Sequence, residues 1–353
     1  MSSQLETKQK SKKGEATKEI IDHVPFSYTI VCPLLRHQNH TCFEWNIIDK
    51  GSKKLKRFQK YEISVNRIHS AMYKIRKHIW ETPCFKSSLL NHQGFHIYLK
   101  AEFCQVTNSI KARGVIYTLL QLTHEEKCKG VIAISTGSFA YSLCYYGKIF
   151  EIPVTIVMPI STADEQVKNC RKYKATVLVQ GRDMLEAHNI ALRIAKTNGL
   201  YYLDGNDHPN MIIGQATLGI EILDDIKNID AVLLPTAING CGLTTGIAMA
   251  IKEYNPKIKV IEVQTEVTDS LIENVRTQTT SPNELEIPTT DYTWYRNSIG
   301  LPEMWLDTII TVNKTLVNIA ADILLNEENI DDSSAAISLA AILTGEIHPG
   351  LKR

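Results

Sequence analysis

The sequence predicts an α/β fold in which parallel sheets are wrapped by helices. Beyond residue 129, short β-branched runs alternate with helical patterns, and this repetition is typical of βαβ units. A second series of the same kind begins at residue 231, so we expect two lobes. The chain has 353 residues, of which 44% are hydrophobic and 22% charged, which is enough to bury a large core.

The elements before the first series are a helix, a strand and a second helix. The first helix starts near Ile63 and ends before the turn at residues 81–83, where Pro83 stops it. A short strand at 98–102 leads to a helix that begins near Lys111, because the apolar residues at 115, 116, 119 and 120 follow helical spacing.

Strands and helices then alternate. In the first series we expect strands at 130–135, 154–158 and 176–179, followed in turn by helices at 140–149, 164–174 and 183–197. In the second series we expect strands at 231–235 and 259–263 around a helix at 243–254, and later helices at 314–325 and 333–343.

Residues 1–60 are predicted to form an N-terminal extension that is partly disordered. The first 20 residues or so are lysine-rich and poor in large apolar groups, which is the composition of a disordered tail. The stretch from about 24 to 60 mixes aromatic residues with a basic run and shows no clear period, so we expect it to be ordered only in part.

The composition favours a small-molecule function in the cytoplasm. Because 39 Lys and Arg residues balance 38 Asp and Glu residues, the charge indicates neither nucleic acid nor a membrane surface as a partner. Eight cysteines are scattered without a CxxC pair, which we interpret as reduced thiols. The sequence shows no membrane-spanning run, signal-peptide core or metal-binding motif, so we expect no metal site.

Lys111 is the first candidate for chemistry. It stands where an extended segment meets a helix, and both burial and the positive end of the helix dipole would lower its pKa. A neutral amine there could hold a cofactor covalently. The alternative is an ordinary surface lysine in a first helical turn.

A turn of small residues after the first strand of the series is the second candidate. Its residues are Ser135, Thr136, Gly137, Ser138 and Phe139, and it opens a helix. Free N–H groups at a helix start suit a substrate carboxylate. The alternative is a plain helix cap with Ser138 as the N-cap residue.

The turn after the strand at 231–235 is the third candidate. It contains Asn239, Gly240, Cys241, Gly242 and Leu243 and also opens a helix, so it could cradle a phosphate group. Cys241 adds a side chain where the approach should be closest, and an ordinary βα turn is an equal alternative.

Taken in order, these segments resemble the threonine dehydratase and serine racemase family, pyridoxal-phosphate enzymes of the tryptophan-synthase-β type. The matching motifs lie at residues 82–83, 99–102, 109–114, 135–139, 157–159, 214–221 and 239–243. The resemblance covers the chain from about residue 62 onward. It implies a two-lobed tryptophan-synthase-β-like fold (PLP fold type II), with a larger cofactor domain at 61–129 and 208–353 and a smaller substrate-side domain at 130–207.

The resemblance also implies roles for the candidate residues. Lys111 matches the Schiff-base lysine, and the turn Ser135 to Phe139 matches the loop that binds the substrate carboxylate. The turn Asn239 to Leu243 matches the phosphate loop. The cofactor would be pyridoxal 5'-phosphate, the substrate a small amino acid, and the protein a homodimer.

Several positions depart from the family pattern. Ser138 stands where the family has an asparagine that contacts the cofactor ring, and Phe139 replaces the histidine after it. The racemases' cation site looks lost because Gln264 and Ser270 stand at its acidic positions. The sequence ends before the SGGN-like turn that would lie beside the ring nitrogen, which leaves open an incomplete chain.

The leading hypothesis is a dehydratase that converts L-threonine or L-serine to a 2-oxo acid and ammonia. The alternatives are a catalytically impaired homologue with a binding or regulatory role, motivated by the altered cofactor contacts, and a serine racemase.

Overall fold

The structure, a computed structural model, describes five short N-terminal strands and four longer segments. The strands lie within residues 28–57, and the segments are residues 61–87, 95–235, 242–266 and 305–347. Within these residues, no helix is both long enough and apolar enough to cross a bilayer.

Small antiparallel sheets precede the main body. Strands β1 (Tyr28–Val31), β4 (Asn46–Asp49) and β5 (Leu55–Arg57) form one sheet. Strands β2 (Leu35–His37), β3 (His40–Phe43) and β6 (Tyr61–Glu62) form a second. A two-stranded ribbon follows, made of β7 (Cys84–Lys86) and β8 (Tyr98–Lys100). Residues 1–27 of the predicted extension lie outside the described chain.

A parallel sheet of four strands occupies the middle of the chain. Its strands are β9 (Val131–Ile134), β10 (Val154–Met158), β11 (Thr176–Val179) and β12 (Tyr201–Tyr202), in the order β11-β10-β9-β12. Helices α4 (Ser138–Ile149), α5 (Asp164–Arg171) and α6 (Met184–Asn198) connect them. The predicted alternation is confirmed, and β12 is an added strand that two residues could not reveal.

A second parallel sheet follows. It consists of β13 (Ala231–Pro235), β14 (Lys259–Thr265) and β15 (Thr308–Val312), in that order. The helices of this part are α8 (Gly242–Tyr254), α9 (Lys314–Glu328) and α10 (Ser333–Leu343). The side chain of Asp332 accepts the N–H of Ala335 and so caps α10.

The remaining helices build the core around the candidate lysine. They are α1 (Val65–Ile75), α2 (Ala112–Gln121), α3 (His124–Lys129) and α7 (Pro209–Asp225). Helices α2 and α7 pack with their backbones almost touching, since a Cβ atom on Gly214 would come within 2.6 Å of the Arg113 carbonyl oxygen. This close contact fixes the start of α2, and therefore Lys111, against α7.

Candidate active site

Two loops meet at one edge of the four-stranded sheet. Strands β9 and β12 are parallel neighbours, with Tyr202 in register with Ile132, so their carboxyl ends lie at the same edge. The turn Ser135 to Phe139 follows β9, and residues 204–207 follow β12. Together with Lys111, the turn and residues 204–206 line a cavity of about 1320 Å³. The structure therefore brings Lys111 and the predicted carboxylate turn into one site.

Lys111 is the N-cap residue of α2, as its position in the sequence predicts. Its ammonium donates a hydrogen bond to Oδ1 of Asn206 and lies 5.7 Å from the centre of the Phe139 ring. Burial lowers the pKa of Lys111, although the carboxylates of Asp204 and Asp207 partly oppose this effect. A larger fraction of the amine is thus neutral and nucleophilic at neutral pH than in a solvated lysine.

The turn after β9 presents its backbone to the cavity. Gly137, whose backbone is extended, is the N-cap residue of α4, so the alternative with Ser138 as the N-cap residue is wrong. Ser138 is the first residue of the helix, and its hydroxyl donates to Oγ of Ser109 at 3.1 Å. The N–H of Gly137 donates to Oγ of Ser135 at 3.1 Å, so the N–H groups that open the helix at Ser138 and Phe139 are the ones suited to an anion.

Phe139 packs on the loop after β12. A Cβ atom on Gly205 would lie 2.4 Å from the Phe139 ring, so only glycine fits beneath it. The ring therefore lies between the two loops. It also faces the Lys111 amine, as an apolar surface that attracts a cation weakly.

The predicted phosphate turn lies only partly within the described chain. Asn239, Gly240 and Cys241 fall outside it, whereas Gly242 begins α8 and Leu243 lines the cavity. The N–H of Gly242 donates to Oδ1 of Asp207 at 2.8 Å. This bond ties the start of α8 to the loop after β12.

The sequence reasoning missed the loop after β12. Asp204, Gly205 and Asn206 all line the cavity, and Asn206 contacts the Lys111 amine directly. The only signal was a run of turn-forming residues before Pro209, and no strand was predicted ahead of it.

The reasoning also missed an ionic cluster behind Lys111. The Arg113 guanidinium is 1% exposed and binds two carboxylates in bidentate fashion, those of Glu102 (2.8 and 2.9 Å) and Glu221 (2.6 and 3.2 Å). The Lys100 ammonium joins Glu221 to Asp225, at 2.8 Å from each. We name these five residues the ionic cluster. It connects β8, α2 and α7, so Glu221 anchors the segment that carries Lys111.

The described residues contain no group of three or more metal-ligating side chains. At one position of the racemases' cation site, Gln264 donates through Nε2 to Oγ1 of Thr311 at 3.0 Å. Ser270, at the other position, lies outside the described chain.

Comparison with known proteins defines the class. A family model described as pyridoxal-phosphate dependent enzyme matches residues 75–352, and the chain belongs to this family. An L-threonine ammonia-lyase from Thermotoga maritima is 32% identical over 287 residues, covering 80% of this chain and 71% of the relative. These matches confirm the resemblance inferred from the motifs.

Solved structures agree with the fold. A threonine deaminase from the organism abbreviated T.th. has a TM-score of 0.67 and 27% identity, over 80% of this chain and 93% of the other. The serine racemase of Dictyostelium discoideum has a TM-score of 0.69 and 24% identity, over 80% and 92%. The predicted tryptophan-synthase-β-like fold is confirmed.

The described residues fit the family's cofactor. A primary amine of lowered pKa faces a cavity large enough for a cofactor and an amino acid, and this is the donor that pyridoxal phosphate requires. Apart from its chain neighbours, no described residue has an atom within 4 Å of a Cβ built on Gly137, so among these residues the turn leaves open space for a bound group.

Proposed function

We propose that the protein is a pyridoxal-phosphate-dependent dehydratase that converts L-threonine or L-serine to a 2-oxo acid and ammonia. The observation that carries the proposal is the juxtaposition, in one cavity, of the Lys111 amine and the helix-start N–H groups of the turn after β9. The names of the curated relative and of the solved deaminase support this choice of reaction.

Each residue group has a distinct task in this proposal. The N–H groups at Ser138 and Phe139 bind the substrate carboxylate, with Ser135, Thr136 and Gly137 shaping the turn. The neutral Lys111 amine removes the proton from the substrate Cα. When bound, the cofactor draws electrons away from Cα and so makes this proton more acidic.

The cofactor contacts follow from the same positions. Lys111 would hold the cofactor, Ser138 would stand nearest its ring oxygen, and residues Asn239 to Leu243 would hold its phosphate. We propose the corresponding division into a cofactor domain at 61–129 and 208–353 and a substrate-side domain at 130–207. The proposed cofactor domain contains the three-stranded parallel sheet, and the proposed substrate-side domain contains the four-stranded one.

The test is the production of 2-oxobutanoate from L-threonine by protein purified with pyridoxal phosphate, with Lys111→Ala as the comparison. We expect turnover by the wild type and its loss in the variant, by a factor of at least about 100. Absence of turnover in a wild-type protein that binds the cofactor would instead identify a binding or regulatory homologue. Conversion of L-serine to D-serine would identify a racemase.

We also propose that the enzyme is a homodimer in the cytoplasm. Among the described residues, the cysteines at 84, 104, 128, 144 and 170 are free thiols, which fits a reducing cytoplasm. The family resemblance supports a homodimer, and sedimentation equilibrium would measure its mass.

A further inference from the structure

Asp204 is a carboxyl group in the cavity wall that the reaction described above does not use. It follows β12 at the same sheet edge as the carboxylate-binding turn and lines the same cavity as Lys111. One of its oxygens, Oδ1, accepts the N–H of Asn206 at 2.9 Å, which fixes the carboxyl group in the loop. Asp204 therefore has a fixed place in the wall of the cavity that Lys111 also lines.

Asp204 interacts electrostatically with Lys111. The Lys111 ammonium and the Asp204 carboxylate attract each other electrostatically, and Asn206, two residues after Asp204, accepts a hydrogen bond from the same ammonium. The imidazole of His188, on α6, also interacts electrostatically with this carboxyl group. Asp207, the other acid of the loop, bonds the N–H of Gly242 and so serves the start of α8. Of the two acids, Asp204 is the one on the cavity side with the amine.

The direction in which its pKa is shifted favours a proton donor. Burial raises the pKa of Asp204, although the N–H groups of Asn206 and Asp207 and the Lys111 ammonium partly oppose this effect. The dehydratase reaction needs such a donor, because hydroxide is a poor leaving group and a hydroxyl leaves readily only as water.

We propose that Asp204 is the general acid that protonates the departing β-hydroxyl group of the substrate. The proposal rests on the proposed dehydratase function. Lys111 takes the Cα proton, and the electron pair left at Cα forms the Cα=Cβ double bond. The Cβ–O bond breaks as Asp204 gives its proton to the oxygen, which leaves as water. The Lys111 ammonium then returns a proton to the Asp204 carboxylate, so that both groups recover their starting states.

The test compares two leaving groups in Asp204→Asn. With L-threonine, kcat should fall by at least about 100-fold, since a positioned general acid contributes 10²- to 10⁴-fold. With β-chloro-L-alanine, chloride leaves without a proton, so kcat should stay close to that of the wild type. The exposed Asp164→Asn on α5 is the matched control and should leave both rates unchanged.

A second measurement does not depend on turnover. In protein prepared without cofactor and labelled with ¹³C-carboxyl aspartate, the Asp204 signal is assigned by its loss in Asp204→Asn. Replacing Lys111 with Met should raise the pKa of Asp204, because a neighbouring positive charge is removed. The visible absorbance of the bound cofactor and the denaturant midpoint should be the same in wild type and Asp204→Asn.

The outcomes separate the two proposals. If wild type does not dehydrate threonine or serine, the dehydratase function itself fails. If wild type does, but Asp204→Asn keeps threonine turnover or loses both substrates equally, the general-acid role fails and the dehydratase function stands. An Asp204 pKa that does not respond to Lys111→Met would contradict the pairing of the two groups.

Discussion

Lys111 and Arg113 lie two residues apart at the start of the same helix, yet their surroundings shift their pKa values in opposite directions. Burial lowers the pKa of Lys111, which bonds a neutral amide and faces a cavity. Burial also opposes the charge of Arg113, but hydrogen bonds and electrostatic attraction from Glu102 and Glu221 outweigh it and raise its pKa. One face of the helix thus holds a reactive amine and the other a permanent cation.

The difference shows what decides the charge of a buried basic group. Both side chains lose water, so desolvation alone does not distinguish them. The arginine has two carboxylates in bidentate contact, whereas the lysine amine bonds the amide of Asn206 and feels Asp204 and Asp207 through their charge. Direct carboxylate partners keep the charge on Arg113, whereas burial lowers the pKa of Lys111 because the attraction of Asp204 and Asp207 opposes it only in part.

The largest effect on stability is expected for Arg113→Met, which removes the buried cation of this pair. Removing the guanidinium leaves Glu102 and Glu221 buried without their main partner, which should cost about 3–5 kcal/mol in the free energy of unfolding. Denaturant unfolding measures this loss, and Arg193→Met on the exposed face of α6 is the matched control. A loss as small as that of the control would show that the ionic cluster does not hold α2.

For the buried imidazole of His208 we expect an effect on stability of intermediate size. His208 precedes α7, bonds the Tyr201 hydroxyl at 2.6 Å, and has its pKa lowered by burial to about 4. Because the unfolded chain binds the proton near pH 6.5, the folded state should lose up to about 3 kcal/mol between pH 6.5 and 4 on account of this group.

His208→Asn isolates that effect. Asparagine can still accept the N–H of Asn210 as the helix cap, while the titrating ring is removed. The variant should therefore lose less stability than wild type as the pH falls from 6.5 to 4, measured by urea unfolding at several pH values. Parallel stability curves for the two proteins would contradict the burial of a neutral imidazole.

The smallest effect is expected for Lys111→Met in the protein without cofactor. Since the folded pKa of Lys111 lies below its unfolded value of 10.5, the unfolded chain binds more protons in the window between them. Wild-type stability should rise relative to the variant as the pH rises through that window, and at neutral pH the variant should be at least as stable. Lys196→Met, on the exposed face of α6, is the control. A variant that is several kcal/mol less stable would show that Lys111 is a structural cation like Arg113.

The sequence predicted most of the parallel sheets because β-branched runs and helical spacing are local signals. The strands at 154–158, 176–179 and 231–235 have the predicted bounds. By contrast, β12 has only two residues, too few to show a period, and β15 was not predicted either. Elements of this kind are defined by the neighbours they pair with.

The site was predictable where a motif carried it and hidden where partners come from distant segments. Lys111 and the turn Ser135 to Phe139 were found because each opens a helix. The ionic cluster joins residue 102 to residue 221, and Asp204 meets Lys111 only after β12 is placed beside β9. Contacts between charged residues that lie far apart in the sequence leave no local sequence pattern, so they become visible only in the folded structure.

The most direct test of the central claim, that the Lys111 amine is the group that binds the cofactor, is reductive trapping. Protein loaded with pyridoxal phosphate is treated with borohydride, digested, and mapped by mass spectrometry, with Lys111→Ala in parallel. We predict one stoichiometric pyridoxyl modification, at Lys111 in the wild type, and none in the variant. Modification spread over surface lysines, or retained in Lys111→Ala, would contradict it.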